Sequence, residues 1–400
     1  MLNQWLISAA EWGLVAVALI LFIPIGVFFV ECMAALLPER SQPSQDTADQ
    51  STAILMPAHN EAVVIAETLT SVTDHCPETA DVYVVADNCT DETAAIARQF
   101  DVTVFERHDQ TQRGKGYALD YGLSCLSAEP PETVVMVDAD CTVDRLALAR
   151  LSDQSRASHR PVQGIYLMEV PPNPSTSDSI SALAFLVKNW VRPAGLARLG
   201  LPCLLTGTGM AFPWPVITSA PLASGNIVED MQLGLDLAIA GYPPQFCATA
   251  HLTGKLPSDA EAAKGQRTRW EHGQLSTLTT QVPRLLKESI VQRRFDLLAL
   301  ALEMVVPPLS LLVLIWSGAL VASGLIALAG PSRLPMYMVA FEGLLIAIAI
   351  MAAWAKFGRH YISGATLLMA PLYVAWKIPL YIAFVVQRQT DWVRTKRDLT

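Results

Sequence analysis

The stretch VVMVDADCTVD (134–144) runs apolar and then reaches two carboxylates, Asp138 and Asp140, that flank a single alanine. On an extended segment residues i and i+2 point to the same side, so these two side chains can converge on one ligand. Carboxylates held together repel unless a cation or hydrogen bonds compensate. A divalent cation that itself bridges phosphate oxygens supplies that compensation, and Mg²⁺ or Mn²⁺ suits oxygen ligands. The plainer alternative is a solvated turn in which Asp140 caps a helix through CTVDRLALARL (141–151).

Other polar groups follow in spacings that suit the same chemistry. GNIVEDMQLGLDLAIAGY (225–242) places Glu229 and Asp230 at the start of an amphipathic helix. Asp230 there either caps the helix or acts as a general base that deprotonates an acceptor hydroxyl. QRTRWEHG (266–273) presents Gln266, Arg269 and Trp270 on one helix face through i, i+3, i+4 spacing. The Arg suits a diphosphate and the Trp a sugar face. A membrane-interface Trp beside a snorkelling Arg is the alternative. A further carboxylate, Asp87, ends the run DVYVVAD (81–87).

The elements that must position these groups alternate along the chain. Residues 53–56 read as a buried strand ending at Pro57, and 62–75 as a helix. Strands at 81–87, 102–107 and 133–140 are separated by helices starting near Glu92 and Gly114. Strands alternating with helices predict an α/β fold, a mostly parallel sheet covered on both faces, of a nucleotide-binding type. Ligands of such sheets sit beyond the carboxyl ends of the strands, where these acidic residues fall.

Composition adds a membrane. Over 400 residues, 52% are hydrophobic and 16% charged, and the mean hydropathy is +0.34. Residues 12–37 are long and apolar enough to cross a bilayer, and no Lys or Arg precedes them, so they read as a retained span rather than a signal peptide. Three more apolar stretches occupy 297–329, 336–355 and 365–386. This predicts an N-terminal transmembrane helix (1–40), a soluble domain (41–290) entered through a polar linker at 41–52, and a C-terminal transmembrane region with a basic tail (291–400). Interfacial helices are expected near the end of the soluble domain. Arg40 after the first span puts that domain in the cytoplasm. The tail at 388–398 is also basic, yet four crossings would place it outside. One stretch therefore does not cross simply, and the last is the candidate because Pro371, Lys377 and Pro379 interrupt it. The net charge of −9 argues against nucleic acid. Seven cysteines without CxxC spacing suit reduced structural thiols.

In order, Asp87, Asp138-Ala139-Asp140, Glu229-Asp230 and Gln266-x-x-Arg269-Trp270 resemble the membrane-bound family 2 glycosyltransferases, which include cellulose, chitin and hyaluronan synthases and ceramide glucosyltransferases. PAHNE (57–61) and RGKGYAL (113–119) resemble that family's nucleotide-side motifs, and the likeness spans roughly residues 50–280. It implies a GT-A fold using a nucleotide-diphosphate sugar, a UDP-sugar by expectation, with Mg²⁺ or Mn²⁺ held by Asp140. Pro57, Glu61, Asp87, Lys115, Asp138, Gln266, Arg269 and Trp270 would then face the nucleotide sugar. Asp230 would be the base. Thr206, Gly207 and Gly209 of TGTGM (206–210), with Glu229 and Trp270, would line the acceptor side. Val228 departs from the pattern, since many of the synthases carry Thr there, and His272 is assigned interface packing only.

The implied reaction is an inverting transfer to a lipid-linked or membrane-proximal acceptor, in exopolysaccharide or glycolipid synthesis. The expected location is a bacterial inner membrane. A processive polysaccharide synthase, its channel completed by a partner subunit, is the alternative; an inactive scaffold or export component is the second. No Walker phosphate loop is present to support a transporter.

Overall fold

A computed structural model describes residues 2–39, 51–170, 174–223, 228–255 and 260–386. Arg40, most of the linker (41–50) and the basic tail (388–398) lie outside the described residues. A long apolar helix α1 (Leu2–Ala34) comes first. The sheet then opens as β1 (Thr52–Ala58), α2 (Ile65–Asp74), β2 (Ala80–Asp87), α3 (Thr93–Ala97), β3 (Thr103–Arg107), α4 (Lys115–Leu126) and β4 (Thr133–Met136).

These four strands pair in parallel, in the order β3-β2-β1-β4. Alternation along them feeds two cores. Ile54, Val84 and Val135 bury on one face against Ile65, Leu69 and Val72 of α2. Leu55, Val85 and Val134 bury on the other against Leu119 and Leu123 of α4. Apolar residues at every strand position are what a sheet covered on both faces requires.

The second half departs from the expected pattern. It runs β5 (Cys141–Val143), α5 (Ala147–Ser158), β6 (Val162–Met168), α6 (Thr176–Leu186), a π-helical turn Val187–Val191, α7 (Arg192–Leu199), β7 (Met210–Pro213), α8 (Trp214–Ile217), α9 (Glu229–Ile239) and β8 (Gln245–Gly254). The eight-stranded sheet is completed as β4-β7-β6-β8-β5, with antiparallel pairs β4–β7, β6–β7 and β5–β8. The sheet is therefore parallel in its first half and mixed in its second. The connection after β6 leaves through α6 and α7, and α7 docks on α1, so β7 re-enters without a right-handed crossover. The helix expected across 141–151 starts only at Ala147, preceded by Leu146 at φ 67°. Asp140 is thus not a helix cap.

Beyond the sheet, α10 (Ala260–Val291) leads to α11 (Phe295–Val305), α12 (Leu309–Ala329), α13 (Leu334–Ala353), a second π-helical turn Trp354–Gly358, then α14 (Gly364–Leu367), α15 (Ala370–Trp376) and α16 (Ile378–Val386). Among the described residues, three helices are long and apolar enough to cross a bilayer: Trp5–Ala34, Leu309–Ala329 and Leu334–Gly358. The apolar stretch 297–329 is broken at Pro307-Pro308, and α11 packs with α9 and α10 instead of crossing. The stretch 365–386 breaks into three short helices, as its two prolines and Lys377 suggested. If all three cross, the chain after Gly358 is back on the side of the sheet. At that end Lys356 Nζ donates to the Ala35 and Leu36 carbonyls, 2.9 and 3.1 Å away. At the other end Glu11 accepts from the Ser332 amide at 3.1 Å. All seven cysteines are free.

One buried polar knot joins the parts. Arg192 of α7 donates from Nε to Glu31 of α1 at 2.6 Å. Its Nη2 donates to the Glu303 carbonyl of α11 at 2.9 Å and pairs with that residue's carboxylate at 3.0 Å. All three side chains are buried. Close approach of α7 to α1 depends on Gly195, where an added Cβ would sit 2.0 Å from the Glu31 carbonyl oxygen. Arg192→Met strands two buried carboxylates and is expected to cost about 3–5 kcal/mol. Gly195→Val overpacks the same contact, at about 1–3 kcal/mol. Thermal unfolding of the detergent-purified protein checks both; unchanged midpoints would show that the knot does not hold the helices together.

Candidate functional site

The carboxyl ends of β1, β2 and β4 open onto a cavity of about 430 Å³. β4 stops at Met136, so Asp138 and Asp140 lie just past the strand rather than on it. The Cys141 amide donates back to the Asp138 carbonyl at 3.1 Å and closes a turn. This turn, not an extended segment, aims both carboxylates into the cavity. The Asp138 amide is fixed by Thr208 Oγ1 at 3.0 Å.

Lys115, first residue of α4, reaches across. Its Nζ pairs with Asp138 and donates to the Gly207 carbonyl at 2.7 Å. Burial opposes its charge, but Asp138 and then Glu229 hold its pKa above the usual lysine value. Asp138 is itself pushed up by burial, against the pull of Lys115. Gly207, at φ +95°, takes a left-handed turn over this group; a Cβ there would lie 3.1 Å from Asp230 Oδ2 and 3.5 Å from Lys115 Nζ.

Glu229 and Asp230 open α9, whose N-cap position, Val228, carries no side-chain cap. The Asp230 Oδ1 accepts from the Met231 amide at 2.8 Å, which orients the carboxylate inside the first turn. Burial raises its pKa above the ordinary Asp value, with Lys115 opposing. Burial, then Asp230, pushes Glu229 up to about 8. Residues 225–227 of the expected motif lie outside the described residues.

Gln266, Arg269 and Trp270 line the cavity from α10. The Trp270 ring lies 5.8 Å from Phe185, which meets Tyr166 edge-on at 5.4 Å. Burial lowers the pKa of Arg269, opposed by Glu229. Glu271 pairs with Lys377 of the C-terminal segment, and His272 Nε2 lies 3.3 Å from the Leu380 carbonyl, a packing role as expected. Pro57, Glu61 and Thr206 also line the cavity. Asp87 lines it while buried, with Arg107 Nη1 at 2.7 Å and Asn88 Nδ2 at 3.1 Å donating to its Oδ1. Gly209 does not: its amide donates to the Met136 carbonyl and its carbonyl accepts from Gly164, so it seats β7 in the sheet instead.

The donor chemistry fits a hard divalent cation. One ligand atom each of Asp138, Asp140 and Cys141 lies within 4.8 Å of the others. Burial, and then Asp140, keep the Cys141 thiol protonated, and it donates to Asp140 Oδ1 at 3.4 Å. Asp138, paired to Lys115, and Asp140 are the two carboxylates of this group that could hold Mg²⁺ or Mn²⁺.

The same cavity continues past this centre to Phe28 of α1, Pro308 and Leu309 at the start of α12, and Tyr373 of α15. Lys188 and Asn189 of the π-helical turn line that inner part. Burial lowers the pKa of Lys188 while Asp230 opposes. The sequence reading missed both, although a Lys-Asn pair inside the apolar run AFLVKNWV (184–191) was the available signal.

A family model described as "Glycosyltransferase like family 2" matches residues 49–273, more than half of the chain. The chain is 25% identical over 235 residues to "Probable glycosyltransferase YdaM" of Bacillus subtilis (strain 168), covering 55% of this chain and 54% of that protein. It thus spans about half the length of that curated relative. Among solved structures it is similar to the mannosyltransferase PcManGT from Pyrobaculum calidifontis in complex with GDP-Man and Mn²⁺, at TM-score 0.56 and 18% identity, over 93% of this chain and 99% of that one.

Because Glu229 binds its proton more tightly folded (about 8) than at its ordinary 4.5, its stabilising contribution is whole below 4.5 and is lost as pH rises toward 8. Glu229→Gln should therefore flatten the fall of the unfolding midpoint across that window, read by thermal scans at stepped pH. A variant that falls as steeply as the parent would contradict the placement of Glu229 beside Asp230.

Proposed function

The chain belongs to the glycosyltransferase like family 2, its fold is GT-A-like, and on that premise we propose that it moves a sugar from a nucleotide-diphosphate donor to a lipid-linked or membrane-proximal acceptor, with inversion. The observation that carries this reading is the single cavity. It is shared by Lys115, Asp138, Asp140, Asp230, Arg269 and Trp270, and it runs on to residues at the ends of α1 and α12.

In this reading Asp230 takes the proton from the acceptor hydroxyl as that oxygen attacks the anomeric carbon. Its raised pKa makes it a stronger base than an exposed aspartate. Lys115 and Arg269 face the diphosphate, and Trp270 offers an aromatic floor to the sugar. Bound at Asp140, Mg²⁺ or Mn²⁺ would supply charge stabilisation for the leaving diphosphate. Attack opposite the leaving group gives a β-linkage from an α-linked donor. The neighbour crystallised with GDP-Man and Mn²⁺ supports a nucleotide-sugar donor; a UDP-sugar is our choice for this chain. We assign residues 41–290 as the catalytic unit, on the cytoplasmic side of a bacterial inner membrane, where the positive flank of the first span supports it. Exopolysaccharide or glycolipid assembly is the proposed setting.

A thermal-shift screen of nucleotide sugars with Mg²⁺ or Mn²⁺ should single out one donor by its stabilisation. With that donor, Asp230→Asn should lower transfer by about 10²–10⁴-fold while keeping the donor's thermal shift. Transfer that survives the substitution rejects the base assignment. Ladders of long product would favour a processive synthase, and donor binding without any transfer an inactive scaffold.

A further inference from the structure

Beyond Asp230 the inner part of the cavity is walled by the π-helical turn Val187–Val191. Such turns insert an extra residue into a helix and re-aim its side chains, and they gather at functional sites. This turn carries Lys188 and Asn189, both lining the cavity. Asn189 is 4% exposed, yet its Oδ1 is buried with no hydrogen-bond partner. Thr206 Oγ1, across the same cavity, is also buried without one. Nearby cations are neutralised: Arg192 by Glu31 and Glu303, and Lys377 by Glu271. Among the described residues Lys188 has no carboxylate within 4.0 Å.

This pattern distinguishes between ligand chemistries. A buried amide oxygen without a donor is an unpaired group that a ligand can complete. A phosphate offers acceptor oxygens and would suit Lys188 alone. Hydroxyls both donate and accept, so a polyhydroxylated headgroup can satisfy Asn189 Oδ1 with one hydroxyl and Lys188 Nζ with another.

Resting on the reading of the chain as a transferase to membrane acceptors, we propose that this turn is the headgroup wall of the acceptor subsite. Asn189 Oδ1 accepts from, and Lys188 Nζ donates to, hydroxyls of a neutral glycosyl or polyol headgroup whose attacking hydroxyl faces Asp230.

The test is photolabelling of the full-length protein in phosphatidylcholine nanodiscs. The probes are decyl β-D-glucoside carrying a diazirine on the sugar ring, a diazirine-bearing decyl phosphate, and a diazirine decane. The glucoside should label the segment around Val187–Val191. Asn189→Leu and Lys188→Met should each cut that labelling about tenfold, and Lys188→Arg should restore most of it. The thermal shift given by nucleotide sugars should persist in all three variants. Stronger labelling by the phosphate, labelling no greater than by the decane, or variants labelled like the parent would each overturn the proposal. So would variants that lose the nucleotide-sugar shift, since the turn would then be structural. If the parent itself shows no such shift, the transferase reading fails while the glucoside labelling still decides the subsite.

Discussion

Gathering Asp138, Asp140, Glu229 and Asp230 around one cavity is a problem of like charge in a partly buried place. Lys115 is the main answer inside the protein. It spans from the start of α4 to Asp138 and to the Gly207 carbonyl, so one ammonium both neutralises the carboxylates and ties three separate segments. The remaining strain falls on Glu229 and Asp230, whose protons are held more tightly than usual. Burial is the main cause for both, joined at Glu229 by the charge of Asp230, and a cation bound beside them would oppose it. The site therefore stores its binding preference as unfavourable charge, and the fold around it must be rigid enough to keep that charge in place.

Rigidity comes from an unexpected quarter. The sheet is tied to the first apolar helix, because α7 is pressed against α1 and locked there by Arg192 between Glu31 and Glu303. A buried ionic triad of this kind adds little net stability over an apolar core but is costly to break. Its effect is geometric: it joins α7, which follows the π-helical turn, to α1 and α11.

The chemistry was more legible in the sequence than the architecture. Asp138, Asp140, Asp230, Arg269 and Trp270 were singled out from local spacing and Lys115 from the family resemblance, and all six line one cavity. Strand ends and a helix face carry such signals because their periods are short and local. What escaped depends on distant partners. β5 and β7, of three and four residues, are too short to display any alternation, and their antiparallel partners β8, β4 and β6 lie far away in the chain. Gly209 shares a motif with Gly207 but serves the sheet, since two residues further along the backbone has already joined β7. Lys188 and Asn189 gain meaning only from the π-helical turn and from what packs opposite it. The break at Pro307-Pro308 was in plain view, yet hydropathy alone merged α11 with α12.

The helix that carries Gln266, Arg269 and Trp270 is also fastened, one residue on, to the C-terminal segment through Glu271 and Lys377, and then through His272 and the Leu380 carbonyl. Arg269 and Trp270 therefore cannot rotate toward a donor without tugging on a run of short apolar helices. In the proposed reading, whatever presses on those helices from the lipid side, such as lateral pressure or acyl-chain order, would act on the grip over the sugar, making the surrounding membrane a mechanical load on the site as well as its solvent.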